Sequence, residues 1–221
     1  AYKEGRLGLY FVEFGAAMRP SKVTYDRADS AFANLNPADF NWKEIFKDAG
    51  WFHWTGITPA ISEAATVALT AALKEAKAQG LTISADVNYR KNLWQYGKGP
   101  LDVMPELIRY THVLVAGKSD FENCMDISLD DWGDACYQAK KDYPQIKYIT
   151  KTKRDSVSAS HNRLKGVLWN GEEILFSNIY EMTHIVDRVG GGDAFIAGLI
   201  YGLMHLSDQE AIEFAVNLDY S

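Results

Sequence analysis

From Asn36 onward the chain alternates between helical and extended hydrophobic patterns, and this alternation limits its fold more than any other feature. Helical patterns occupy residues 42–46, 62–79, 101–110 and 129–143, and short aliphatic or aromatic runs fill residues 51–55, 82–87, 112–116 and 146–152. Strands separated by helices are the sequence form of a doubly wound, mostly parallel sheet flanked by helices, so an α/β fold is expected. Ser62 and Ser128 stand where N-caps are needed, and Gly80 is a natural helix stop. After the last of these strands, Asn170-Gly171 splits an extended region running to Asn178 and predicts an antiparallel hairpin on the sheet. Two closing helices follow, over residues 193–206 and 208–219.

The opening of the chain differs. Residues 6–14 and 22–27 read as strands with no helix between them, so a boundary is expected near residue 35: strands in 1–35 and an α/β body in 36–221. In the second strand, the two-residue period puts Val23, Tyr25 and Arg27 on one face. An arginine beside a tyrosine on a strand face suits a small carboxylate.

Composition narrows the functional classes. With 221 residues, 47% of them hydrophobic, the chain can bury a full core. Its formal charge of −6 is dispersed, which argues against a non-specific nucleic-acid binder, and no apolar run approaches the roughly 18 residues of a membrane span. Cys124 and Cys136 lack metal-site spacing and read as reduced thiols of a cytoplasmic protein. The first residue is not Met and a strand pattern begins by Leu7, so further sequence is expected upstream.

The densest chemical signal is Val186-Asp187-Arg188-Val189-Gly190-Gly191-Gly192-Asp193-Ala194-Phe195, followed by an apolar helix. Glycines ahead of a helix let the backbone approach an anion and aim unpaired N–H groups at phosphate charge. Asp193 would then accept the proton of an attacking hydroxyl. A flexible turn with Asp193 as a plain N-cap is the competing reading, against which Asp187 and the strand–loop–helix setting weigh. The string is neither a Walker A loop nor a GxGxxG fingerprint.

Asp187 to Asp193 resembles the C-terminal signature of the PfkB, or ribokinase-like, carbohydrate kinases, approximately D-[TR]-x-G-[AG]-G-D. The resemblance implies a ribokinase-like doubly wound sheet with a small β-lid, here residues 1–35, and a site for ATP and Mg²⁺. It implies an anion hole at Gly190, Gly191 and Gly192 and a catalytic base at Asp193. Gly8 to Phe11 with Lys22 to Arg27, Trp54 to Ala60, and Asp86 to Arg90 with Leu93 and Trp94 are most similar to the 2-keto-3-deoxygluconate kinases of that family. By that likeness Tyr10, Tyr25 and Arg27 contact the sugar acid and Arg90 helps hold its carboxylate. Two arginines suit an acid better than a neutral sugar, because guanidinium pairs with carboxylate bidentately.

Some positions depart from the family pattern. Where the family carries Asn-x-x-Glu near the metal, this chain has Gly117-Lys118-Ser119-Asp120, leaving Asp120 as the metal-side candidate. Lys151 and Arg154 stand in place of a glycine-rich nucleotide stretch, where they either touch phosphate or form a solvated basic loop; Asp187 completes the nucleotide candidates. Family segments expected before the opening strands and after Val216 have no counterpart here. His53 reads as a packed core histidine. The expected function is ATP-dependent phosphorylation of 2-dehydro-3-deoxy-D-gluconate on its primary hydroxyl, with another PfkB sugar kinase such as a fructokinase, or a non-catalytic sugar-binding relative, as alternatives. The expected partners are a small sugar acid and a second copy of the chain, paired through the lid, and neither nucleic acid nor membrane.

Overall fold

The computed structural model describes residues 4–13, 22–158, 161–183 and 190–220. Its contacts divide the chain into a first unit, Ala1–Tyr10 with Tyr25–Ile149, and a second, Phe11–Thr24 with Thr150–Ser221.

Strands β1 (Leu9–Glu13) and β2 (Lys22–Asp26) form a separate two-stranded sheet. Arg6 fixes the end of β2, because its guanidinium donates to the Asp26 carboxylate at 2.9 Å and to the Ala28 carbonyl at 3.1 Å.

In the body of the first unit, α1 (Trp42–Ile45) leads into β3 (Trp51–Thr55), α2 (Ile57–Ile61), α3 (Glu63–Ala78) and β4 (Thr82–Asp86). Helix α4 (Pro100–Ile108), β5 (Val113–Val115), α5 (Lys118–Met125) and α6 (Trp132–Asp142) follow. Strands β3, β4 and β5 are parallel neighbours, with Trp54 opposite Ala85 and Ala85 opposite Leu114. Their inward side chains, including Ile83 and Leu114, are buried with Leu73 of α3 and Met104, Leu107 and Ile108 of α4. Each such side chain contributes about 1.5–3 kcal/mol relative to exposure.

The local signals explain most of these boundaries. The Ser62 hydroxyl accepts the Ala65 N–H at 3.1 Å and starts α3, and Gly80, at φ +75°, takes the left-handed conformation that ends it. Ser128 does not cap α6. The helix begins at Trp132, capped by the Asp131 carboxylate on the Asp134 N–H at 3.0 Å. Asp126 closes α5 in a left-handed conformation, and the chain must leave that turn before it can nucleate another helix. The short helices α2 and α5 carry too few residues for a sequence period to reveal them.

Strand β6 (Tyr148–Ser158) begins in the first unit and continues into the second. There it is followed by β7 (His161–Trp169), β8 (Ile174–Phe176), β9 (Tyr180–Thr183), α7 (Gly191–His205) and α8 (Asp208–Tyr220). The sheet order is β3-β4-β5-β6-β7-β8, with β9 also on β7, giving a mixed, mostly parallel sheet flanked by helices. The hairpin expected at Asn170-Gly171 joins β7 to β8 antiparallel, and the Asn170 side chain accepts the Glu172 and Glu173 N–H groups. Helices α7 and α8 pack backbone to backbone. A Cβ added at Gly202 would lie 2.6 Å from the Ala211 Cα, and one at Gly198 would lie 2.9 Å from the Ala215 Cα. Any larger residue at either glycine would force the helices apart.

Cys124 and Cys136 are both buried, and burial pushes the Cys124 thiol up to about 12. Among the described residues no helix is long and apolar enough to cross a membrane. His53 is half-buried on β3 and not in the core, its Nδ1 2.8 Å from the Ser84 hydroxyl.

Candidate active site

In the first unit, the structure brings together three of the residues expected to bind a sugar acid. The rings of Tyr10 on β1 and Tyr25 on β2 are 6.5 Å apart, and the Arg27 guanidinium lies 4.6 Å from the centre of the Tyr25 ring. A cation held on an aromatic face keeps its N–H edge directed outward, where a carboxylate can take two hydrogen bonds. Both tyrosines are exposed.

Arg90 lies in the turn that leaves the carboxyl end of β4, the end where open α/β sheets place ligands. The turn is made by Asn88, which adopts a left-handed conformation at φ +43°. Gly56, at the end of β3, lets this turn come close: its N–H donates to the Asp86 carbonyl at 2.8 Å, and a Cβ on it would overlap the Val87 carbonyl. The Trp54 to Ala60 and Asp86 to Arg90 segments are therefore one local structure.

Asp120, the metal-side candidate, sits in the first turn of α5. One carboxylate oxygen accepts the Gly117 N–H at 2.7 Å and the other accepts the Tyr89 N–H at 3.0 Å. Burial raises its pKa above the ordinary carboxylate value, while the two backbone N–H groups and the Arg90 charge pull it back down. Both oxygens of Asp120 are thus already engaged by backbone N–H groups, with one further lone pair left on each. Among the described residues no cluster of His, Cys, Asp or Glu could hold a metal ion.

In the second unit, Gly190 has φ +88°, a conformation that favours glycine, and the next residue begins α7. The first N–H groups of this helix have no partner within it, so they and the helix dipole point at whatever lies before Gly191. Asp193 is exposed in the same first turn. Gly190, Gly191, Gly192 and Asp193 thus form an anion-attracting helix start with a solvent-accessible carboxylate.

The sequence did not single out Asp219 of α8, yet its side chain, only 2% exposed, lies against Gly191, with Oδ1 3.6 Å from the Arg154 guanidinium. Among the described residues that Oδ1 accepts no hydrogen bond, and burial raises the pKa of Asp219 against the lowering effect of Arg154. The available signal was spacing, since Ala211, Ala215 and Asp219 recur at four-residue intervals on the face of α8 that meets α7. Arg154 and Lys151 both lie on β6. Asp187, the remaining nucleotide candidate, lies outside the described residues.

Known proteins resemble this chain in sequence and in fold. The model of the pfkB family of carbohydrate kinases matches residues 1–218. A 2-dehydro-3-deoxygalactonokinase of Haloferax volcanii is 31% identical over 204 residues, 91% of this chain and 59% of that protein. The crystal structure of 2-dehydro-3-deoxygluconokinase from Thermotoga maritima superposes with a TM-score of 0.90 at 39% identity, over 98% of this chain and 67% of that one. An E. coli protein named a candidate ribokinase II, solved with ATP and Mg²⁺, gives a TM-score of 0.78 at 19% identity over 98% of this chain and 64% of that one, a likeness of fold alone. The chain spans about 59% of the length of its curated H. volcanii relative. With the glycine-loop helix start, the strand order and a family model that runs from its first residue to residue 218, the chain belongs to the PfkB family of carbohydrate kinases.

Proposed function

We propose that the protein transfers the γ-phosphate of ATP to the primary hydroxyl of a keto-sugar acid, 2-dehydro-3-deoxy-D-gluconate being the leading substrate. The observation that carries this reading is the start of α7, where the left-handed Gly190 and the exposed Asp193 share one helix turn. In the proposed reaction the sugar hydroxyl oxygen attacks the γ-phosphorus and its proton passes to Asp193. The bond from the γ-phosphorus to the β-phosphate oxygen breaks, and ADP leaves. The N–H groups at Gly191 and Gly192 offset charge on the transferring oxygens, so positioning and electrostatics supply most of the acceleration. Lys151 and Arg154 are the cations proposed for the nucleotide phosphates. Magnesium would be held largely by the nucleotide's own phosphate oxygens and water, as is usual for this ion.

Acid selectivity rests in this reading on Tyr10, Tyr25, Arg27 and Arg90. The relatives named for two epimeric acids, the 2-dehydro-3-deoxy gluconate and galactonate, support this substrate class over a neutral sugar. The two-stranded sheet also exposes Leu9, Phe11 and Val23, and pairing of two copies through this proposed lid would cover them. The test is a coupled ADP-release assay of the full-length protein against a panel of 3-deoxy-keto-sugar acids and neutral sugars. Turnover confined to the acids is expected; preference for fructose or ribose overturns the substrate assignment.

A further inference from the structure

Asp120 joins two elements that are otherwise separate in sequence. Through one oxygen it closes the first turn of α5 on the Gly117 N–H, a capping interaction any acidic residue three positions into a helix could make. Capping does not account for the other oxygen. That oxygen reaches 31 residues back along the chain to the N–H of Tyr89, in the turn after β4. The residue before Tyr89 is Asn88, in the left-handed conformation that asparagine adopts more readily than most non-glycine residues. The residue after it is Arg90. A single carboxylate therefore holds the backbone between this left-handed residue and the arginine proposed to grip the substrate's carboxylate, and Arg90 acts back on Asp120 through its charge.

We propose that Asp120 is a positioning residue for Arg90: by holding the Tyr89 N–H it fixes the turn from which the guanidinium reaches the acid. This rests on the proposed role of Arg90. In this role the acidic residue of this segment serves selectivity for the acid. An uncharged side chain cannot substitute fully. An asparagine has one acceptor oxygen for two N–H groups and turns its own N–H₂ toward the second.

The test uses the full-length protein and its Asp120→Asn, Asp120→Glu, Arg90→Ala and Asp120→Asn/Arg90→Ala variants. Two ligands are titrated, 2-dehydro-3-deoxy-D-gluconate and the same sugar with its carboxylate converted to the primary amide. Asp120→Asn is expected to weaken binding of the acid about tenfold or more while changing binding of the amide less than about twofold. The effect on the acid should vanish when Arg90 is already alanine. Asp120→Glu retains the charge but displaces it by a methylene, and should give an intermediate loss for the acid only. Equal losses for acid and amide, or an undiminished loss in the Arg90→Ala background, would overturn the proposal. Amide hydrogen exchange of Tyr89 is read in parallel without ligand: faster exchange in Asp120→Asn is expected, and unchanged protection refutes the clamp. If Arg90→Ala itself leaves acid binding intact while the Tyr89 amide loses protection in Asp120→Asn, the Arg90 assignment fails and the clamp stands as a purely structural bond.

Discussion

The Oδ1 oxygen of Asp219 occupies the space beside Gly191 that a Cβ on that glycine would need. One short carboxylate, nearly sealed from water, thus has to shift before any Cβ can be admitted at a position where the backbone angles alone do not demand glycine. Gly191→Ala is expected to destabilise the protein by about 1–3 kcal/mol through overpacking. Asp219→Ala in the same chain should return most of that loss. Chemical denaturation of the two single variants and the double variant checks this, and additive effects would show that the two positions do not collide.

Asp193→Asn keeps the size of the side chain and removes its capacity to take a proton. Turnover in the ADP-release assay should fall by roughly 10²–10⁴-fold, while the affinity for the sugar acid measured by calorimetry changes little. Unchanged turnover would return Asp193 to the role of a helix N-cap.

Arg27 and Arg90 should matter for acids and not for neutral sugars. Arg27→Gln or Arg90→Gln is expected to weaken binding of the keto-sugar acid roughly ten- to a hundredfold, the scale of a lost charged hydrogen bond. Arg90→Lys should recover only part of the loss, since an ammonium cannot form the two parallel bonds of a guanidinium. The check is the ratio of affinities for the acid and its amide.

His112 gives the fold a dependence on pH. Its Nδ1 accepts the Ile83 N–H at 3.0 Å, while the His112 backbone N–H donates to the Ile83 carbonyl at 2.8 Å, so the ring nitrogen stands in for a backbone carbonyl beside β5. Burial, then Lys147 and Lys77, hold its pKa below the ordinary 6.5. The unfolded chain therefore takes up the proton first as the pH falls. The contribution is fully present above about pH 6.5 and is lost progressively as the pH drops through the lowered folded value. Thermal midpoints measured between about pH 7 and 5 should fall more steeply for the native protein than for His112→Asn, whose side-chain oxygen can accept the same N–H without titrating.

The alternation of helix and strand patterns was legible because each rests on local chemistry. Ser62 and Gly80 bound α3, Asn170-Gly171 turns β7 into β8, and the string before Phe195 opens an apolar helix. These signals lie within a few residues of the structure they cause. The α6 boundary shows the limit of such reasoning: Ser128 and Asp131 are both competent caps, and the capping hydrogen bond forms at Asp131.

By itself, then, the sequence determined the class of fold, the glycine-loop helix start and the face that carries Tyr25 and Arg27, because periodicity, capping and glycine content act over short stretches of chain. Only the tertiary structure decided what Asp120 and Asp219 do. Asp120 meets Tyr89 across 31 residues, and Asp219 meets Gly191 only because close-packed glycines and alanines bring α8 against α7. A carboxylate's role is set by the N–H groups and charges around it, and those neighbours are assembled by packing, which no local pattern encodes.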